Sequence, residues 1–452
     1  MKLNKFDYKL PQDETDKKKR MMVILISVVV CIVITLASSY AYYQSIELQN
    51  PYDTKVGEFN SGDVIFAVTI DGETSSAFPS KGTGYIVSSV TCDKGATGKW
   101  DNNLWNIEVG NLTQSKTTCN IAFVNESGTL AYKVLQQYGG KEAINEAPAN
   151  TFASVSTSTT NIMYKMKDDY GTSYYYRGAK NLLNNNLIFA NHQWKIVRVN
   201  GDGSVRIIYN GTCPNNSCTI NSTGTATQIK ETAFNTNSND NKYVGYMYGG
   251  ANGVASTSRA QAVTNETSSN AKIELESWYT TNIENRGYSA YISDTLFCND
   301  RRLRSEVGGS ATGTGFGTSN TYYAAYHRVW TNKTPTLLCG NKNDKFTVSD
   351  TVNGNGDLDK PVGLITADEA ALAGGVHDTD NESHYLHTNQ HFWMFSSSYM
   401  FSSHASMFLV GNTGGWGVHY VDIMYGLRSV INLNSDVQVT GSGSPTDPFK
   451  LI

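Results

Sequence analysis

The sequence predicts an α+β protein: a membrane-spanning helix, then a small β-sandwich-like module, then a larger mixed domain with long irregular loops. Three stretches predict it. Residues 186–209 read as a hairpin, with Leu187, Ile188, Phe189, Trp194, Ile196, Val197 and Val199 before the turn Asn200-Gly201-Asp202-Gly203 and Val205, Ile207, Ile208 and Tyr209 after it. β-Branched and aromatic residues around an Asn-Gly turn are a strong short-range hairpin signal. Apolar residues fall on both parities, so the hairpin is expected to be buried on both faces. Residues 272–283 supply the helical component, with Ile273, Leu275, Trp278, Tyr279 and Ile283 on one face. Residues 21–43 carry no charge and are long enough to cross a bilayer.

Seven of the 36 Lys and Arg residues lie in the first 20 positions, immediately before that apolar run. The asymmetry predicts a cytoplasmic tail at 1–20, a membrane helix at 21–43 and an extracytoplasmic bulk on a single-pass cell-membrane protein. A cleaved signal peptide is the alternative, with Ser39-Tyr40-Ala41 as a cleavage site. The run exceeds the 7–15 residues usual for such peptides, which favours an uncleaved anchor. Charged residues are 17% of the chain and the net charge is −4. No long basic face follows residue 20, which excludes a nucleic-acid partner.

Residues 56–124 read as the small β-module, with strands in DVIFAVTID, GYIVSSV, LWNIEV and CNIAFV. Residues 125–160 hold a short helix and a Ser/Thr-rich linker, and the main domain runs from 161 to 440. A capping box, Thr366-x-x-Glu369, opens another helix that Gly374-Gly375 stops. Strands at 392–398, 405–411 and 426–433 close the domain, and 441–452 form a final turn and strand. Besides Cys31 in the apolar run there are six cysteines: Cys92, Cys119, Cys213, Cys218, Cys298 and Cys339. An even number outside the membrane predicts disulfides, and six cysteines allow 15 pairings. Nearest-neighbour pairing is the simplest.

The order of motifs carries a resemblance. W-K-I-V-R at 194–198, S-W-Y at 277–279, F-C-N-D-R at 297–301, L-I-T-A-D-E at 364–369, F-W-M-F-S at 392–396 and G-L-R-S-V-I-N-L at 426–433 follow in series. The set resembles a bacterial cell-surface domain of unknown function, distantly similar to the C-type-lectin-like and formylglycine-generating-enzyme fold. The resemblance implies a domain whose first and last strands meet. The cysteines that the enzyme branch uses near its C-terminus have no counterpart after Cys339. The Glu-Pro-Asn calcium motif of the lectins is absent as well.

Candidate chemistry lies in three places. His384, His387 and His391 are spaced H-x₂-H-x₃-H, with His377, Asp378 and Asp380 just upstream. On a helix the three histidines would share a face able to hold zinc, although the catalytic Glu of H-E-x-x-H is missing and solvated loop histidines are the plainer reading. Asp350, Asn353, Asn355, Asp357 and Asp359 alternate in SDTVNGNGDLDK, as calcium loops require, against a plain Asn-Gly turn. The chain holds 27 tyrosines. Among the aromatic residues Tyr322, Tyr323 and Trp416, with His419 beside them, are the candidate ligand-binding side chains. Trp416 stands between glycines and is expected to be exposed at a loop tip. No G-x-S-x-G or phosphate-binding loop occurs. The reading is a membrane-anchored, non-catalytic adhesion protein for a glycan, wall polymer or protein, without an obligate cofactor. A metal-dependent extracytoplasmic enzyme using calcium or zinc, or a structural envelope component, are the alternatives.

Overall fold

The computed structural model describes residues 64–101 and 104–452. They divide into two units, one ending at Val124 and one spanning Asn125–Ile452.

The first unit contains β1 (Val64–Ile70), β2 (Glu73–Ser75), β3 (Tyr85–Cys92), β4 (Thr97–Asp101), β5 (Asn106–Gly110) and β6, which begins at Thr117 and ends at Asn125. The sheet order is β2-β1-β6-β3, with β1 and β6 parallel, and β4-β5 form a separate hairpin. Alternation in β6 buries Thr117, Cys119, Ile121 and Phe123. Trp100 stands edge-on to Phe123 at 5.2 Å and to Trp105 at 5.3 Å. Cys92–Cys119 closes this core.

The second unit opens with helix α1 (Leu130–Gln136), capped by Thr129. It continues through β7 (Asn161–Asp168), β8 (Gly171–Gly178), β9 (Asn186–Phe189), β10 (His192–Val199) and β11 (Val205–Thr212). The stretch expected as one hairpin is therefore three strands. Ala190 and Asn191 both adopt positive φ, at 53° and 62°, and turn β9 into β10. A two-residue turn of this handedness matches strand twist even without glycine. Every residue of β10 is buried.

The middle of the unit is polar and contributes short pieces: β12 (Lys230–Ala233), β13 (Met247–Tyr248), β14 (Thr267–Ser268), helix α2 (Asn270–Asn282), β15 (Phe297–Cys298), β16 (Thr321–Tyr322) and β17 (Lys345–Phe346). After α3 (Ala367–Ala373) come β18 (Phe392–Phe401), β19 (His404–Val410), β20 (Trp416–Tyr420), β21 (Met424–Leu427), β22 (Val430–Leu433), β23 (Val439–Thr440) and β24 (Phe449–Leu451). One sheet runs β22-β11-β10-β9-β24-β23, with β8 on β10 and β7 on β8. The other runs β12-β21-β18-β19-β20, with β16 on β18. Strands from both ends of the unit thus lie side by side: Val205 pairs with Leu433, and Phe449 with Leu187.

Only Arg428 and Ser429 separate β21 in one sheet from β22 in the other. Arg428 is fully buried; its guanidinium donates to the carbonyls of Tyr209 and Leu386 and to Asn210 Oδ1, at 2.8–2.9 Å. The expected capping box forms at α3, with Thr366 Oγ1 accepting from the Glu369 amide and the Glu369 carboxylate accepting from the Thr366 amide. F-C-N-D-R is structural. Asp300 pairs with Arg302 and Arg328, while Arg301 pairs with Asp344.

Two expectations are corrected. The α+β class gives way to a mostly β structure, with 35% strand against 18% helix. The helical stretches α2 and α3 do form, but the long polar loops between them fold into paired strands and single helical turns, which the irregular sequence concealed. The expected membrane helix at 21–43 lies outside the described residues. Among the described residues no helix is long and apolar enough to cross a membrane. The structure gives the single-pass anchor no support, and it is set aside. What bears on compartment is the set of three disulfides, Cys92–Cys119, Cys213–Cys218 and Cys298–Cys339, which fit an extracellular protein.

Candidate functional site

The segment 376–381 packs against the turn from Gly411 to Gly415. The Asp378 amide donates to the Trp416 carbonyl at 3.1 Å and the Asn381 amide to the Thr413 carbonyl at 2.9 Å. Gly414 has φ +82°, and a Cβ there would lie 2.1 Å from the Asn381 carbonyl oxygen, so the close approach requires glycine. The approach leaves the side chains of Asp378 and Asp380 exposed at the rim of a cleft of about 330 Å³. His391, His419 and Tyr425 also line it.

Tyr425 is the hub of that aromatic group. Its ring lies 5.2 Å from His391, 5.3 Å from His419 and 5.2 Å from Trp393 beneath. The His391 carbonyl accepts from Gln228 Nε2 at 2.8 Å and from the Gly426 amide at 3.1 Å, which fixes the ring's base. Burial, and then the neighbouring His419, lower the proton affinity of His391. It therefore presents a neutral aromatic ring at pH 7. His377, beside Asp378, is likewise lowered, first by burial and against the pull of Asp378.

Trp416 lines the cleft but is buried, 2% exposed, contrary to the expected exposed loop tip. Its indole lies 5.4 Å from His377 and 5.5 Å from Phe408, with Lys333 Nζ 5.9 Å from the ring. The neighbouring glycines misled because cover comes from distant elements. A Cβ on Gly375 would meet the indole at 2.8 Å, so that glycine makes room for it. Tyr323 is also buried, 2% exposed, and its hydroxyl lies 2.8 Å from Asn241 Oδ1. Tyr322 is half-buried and packs on Tyr326 and Tyr399.

The three spaced histidines do not converge. His384 is fully buried, with both ring nitrogens unpartnered. His387 sets its two nitrogens 2.9 Å from the carbonyl oxygens of Glu382 and Asn412, tying two loops together. Only His391 reaches the cleft. The segment is not helical, so the common face never forms. In the Asp350 loop the side chains already have partners within the protein, and Asp359 pairs with Lys272. Asp350 accepts from the amides of Val352 and Asn353, Asn355 from that of Asp357, and Asp357 from Asn265 Nδ2. Among the described residues no group of three or more His, Cys, Asp or Glu is placed to hold a metal ion.

A second, larger cleft of about 460 Å³ lies by Arg259, Arg301, Glu306 and Lys342. Its strongest charges are already matched: Arg259 pairs with Glu306 at 2.5 Å, and Arg301 with Asp344 at 2.6 Å. The first cleft is the better candidate because its carboxylates face solvent. Sequence reasoning singled out His391, His419 and Trp416 separately and missed Tyr425, the second residue of β21, which no local pattern marks.

No family model matches the chain, and no curated protein and no solved structure matches it. These comparisons neither support nor oppose the resemblance drawn from the motifs.

Proposed function

We propose that this is a non-catalytic extracellular binding protein and that the cleft at Asp378, Asp380 and Tyr425 takes a glycan. The observation that carries the reading is the pairing of two exposed carboxylates with an aromatic cluster across one cleft. Ionised carboxylates accept hydrogen bonds from hydroxyls strongly. Aromatic rings cover the apolar C–H faces of a sugar, and a few polar groups on a largely apolar lining fix its orientation. Glycan cleavage by two carboxyl groups needs one of them kept protonated by burial. Asp378 and Asp380 are both exposed, which suits acceptance of hydrogen bonds and not a division into acid and base.

The test is binding of the full chain to an array of glycans and wall polymers, with and without EDTA, alongside Tyr425→Ala. A hit that resists EDTA and is lost in Tyr425→Ala supports the reading. A hit that Tyr425→Ala leaves intact moves the site elsewhere, and a blank array overturns the glycan.

A further inference from the structure

Lys195 lies in the middle of β10 and is 2% exposed. Its amino group has no carboxylate to pair with: the charged groups that bear on it, Arg428 and Lys180, are both positive. Nζ instead meets two carboxamides. It lies 2.5 Å from Oδ1 of Asn186, directly opposite on β9, and in contact with Oδ1 of Asn221, in the loop that follows β11. A buried charge without a counter-charge is costly, and lysine meets that cost by giving up its proton. Burial, then Arg428 and Lys180, lower its pKa to about 7. A large share of the side chain is therefore a neutral amine at pH 7, and a neutral amine is a nucleophile.

The loop holds Asn221 over that amine. Cys213–Cys218 closes its start, Gln193 Nε2 donates to the Thr219 carbonyl at 2.9 Å and to Ser222 Oγ at 2.7 Å, and the Gly224 amide donates to the Thr388 carbonyl at 2.7 Å. Gln193 and Lys195 are two apart on β10 and face the same side of the sheet, so both reach the loop. The two carboxamides differ in what holds their nitrogens. Asn186 Nδ2 donates to the Gly443 carbonyl at 2.8 Å, whereas Asn221 Nδ2 has only the Lys180 carbonyl at 3.4 Å. The nitrogen of Asn221 is the freer to leave. The positive field that disfavours an ammonium at Nζ also favours the negative charge that develops on a carbonyl oxygen under attack.

We propose that Lys195 and Asn221 join in an isopeptide bond in the folded chain. Nζ attacks Cγ of Asn221, the Nζ–Cγ bond forms and the Cγ–Nδ2 bond breaks, and Nδ2 leaves as ammonia with the proton that Nζ gives up. Nothing is oxidised or reduced, and no co-reactant is consumed. The bond spans a sequence separation of 26 and ties the loop to β10 independently of Cys213–Cys218. The loop therefore stays attached when the disulfide is reduced.

The test is the intact mass of the full chain, reduced and alkylated, followed by tryptic mapping. The wild-type chain should be lighter than its sequence by one ammonia. Trypsin should fail to cut after Lys195, and one branched peptide should carry both Lys195 and Asn221. Asn221→Ala and Lys195→Met should each show the full mass of their sequences, and the wild-type map decides even where a variant fails to fold. A wild-type chain of full mass, cut after Lys195 once denatured, would show a hydrogen-bonded amine and overturn the bond. Ammonia lost without a branched peptide, or a branch to Asn186, would overturn it as well.

Discussion

Glu369 Oε1 accepts from Arg206 Nη1 at 2.8 Å and from Arg198 Nε at 3.0 Å, with none of the three side chains more than 6% exposed. The other carboxylate oxygen accepts from the Thr366 amide at 2.9 Å. One side chain thus caps α3 and anchors it to β10 and β11.

Burial alone would raise the Glu369 pKa, but the guanidiniums of Arg206 and Arg198 outweigh it and hold the group at about 2. A depressed carboxyl contributes stability above its unfolded value, near 4.3, which is lost as pH falls through the folded one. Glu369→Gln leaves buried Arg206 without a carboxylate, while Arg198 keeps Asp168 at 2.8 Å, and should cost about 3–5 kcal/mol at pH 7. Urea unfolding at pH 7 and pH 3 checks this: the gap between wild type and variant should narrow in acid.

His384 predicts a second acid sensitivity at higher pH. Burial, then the neighbouring Arg177, lowers its pKa to about 3. The unfolded imidazole, near 6.5, binds a proton that the folded one refuses, so its stabilising contribution is full above about 6.5 and declines as pH falls toward 3. Since neither ring nitrogen has a partner, His384→Leu breaks no hydrogen bond. The variant should flatten the fall in stability between pH 6.5 and 5 by up to about 1.4 kcal/mol per pH unit. Below that window Glu369 contributes as well. An unchanged slope would mean that water reaches the ring.

The strands around Trp194 and Trp393 were legible because long apolar runs leave little choice but burial. The capping box at Thr366 was legible because its chemistry is local. The binding cleft was not. His391, Asp378, Trp416 and Tyr425 come from three chain segments, and the close approach of Thr379 and Asn381 to a glycine turn has no signature in any one of them. The spacing of His384, His387 and His391 suggested a shared face only on the assumption of a helix, which the segment does not form. Trp416 shows the same limit in reverse, since its local glycines implied exposure and a distant histidine and phenylalanine bury it.

The disulfides should differ in worth. Cys298 and Cys339 are 41 residues apart and Cys213 and Cys218 only 5. In the chain-entropy account the longer closure contributes about 4 kcal/mol and the shorter about 2. Cys298→Ala/Cys339→Ala should therefore lower the urea midpoint more than Cys213→Ala/Cys218→Ala. Equal losses would show that strain or residual unfolded structure, not loop closure, dominates.

Asp378 and Asp380 separate hydrogen bonding from stacking in the cleft. Each carboxylate that accepts from a bound hydroxyl is worth about 1.5–3 kcal/mol, so Asp378→Asn or Asp380→Asn should weaken a glycan ligand by about 10- to 150-fold. Tyr425→Phe, which keeps the ring on His391 and His419, should bind nearly as wild type, while Tyr425→Ala should not. Affinity should stay level from pH 8 to neutrality, because His391 is already neutral there. It should fall in acid, below the usual histidine range, as the ring takes a charge that holds water in the cleft. Titration of the array ligand across pH 8 to 5 reads both effects. An affinity that rises in acid would mean that the ligand is anionic and recruits the protonated histidines, which would replace the stacking account with an electrostatic one.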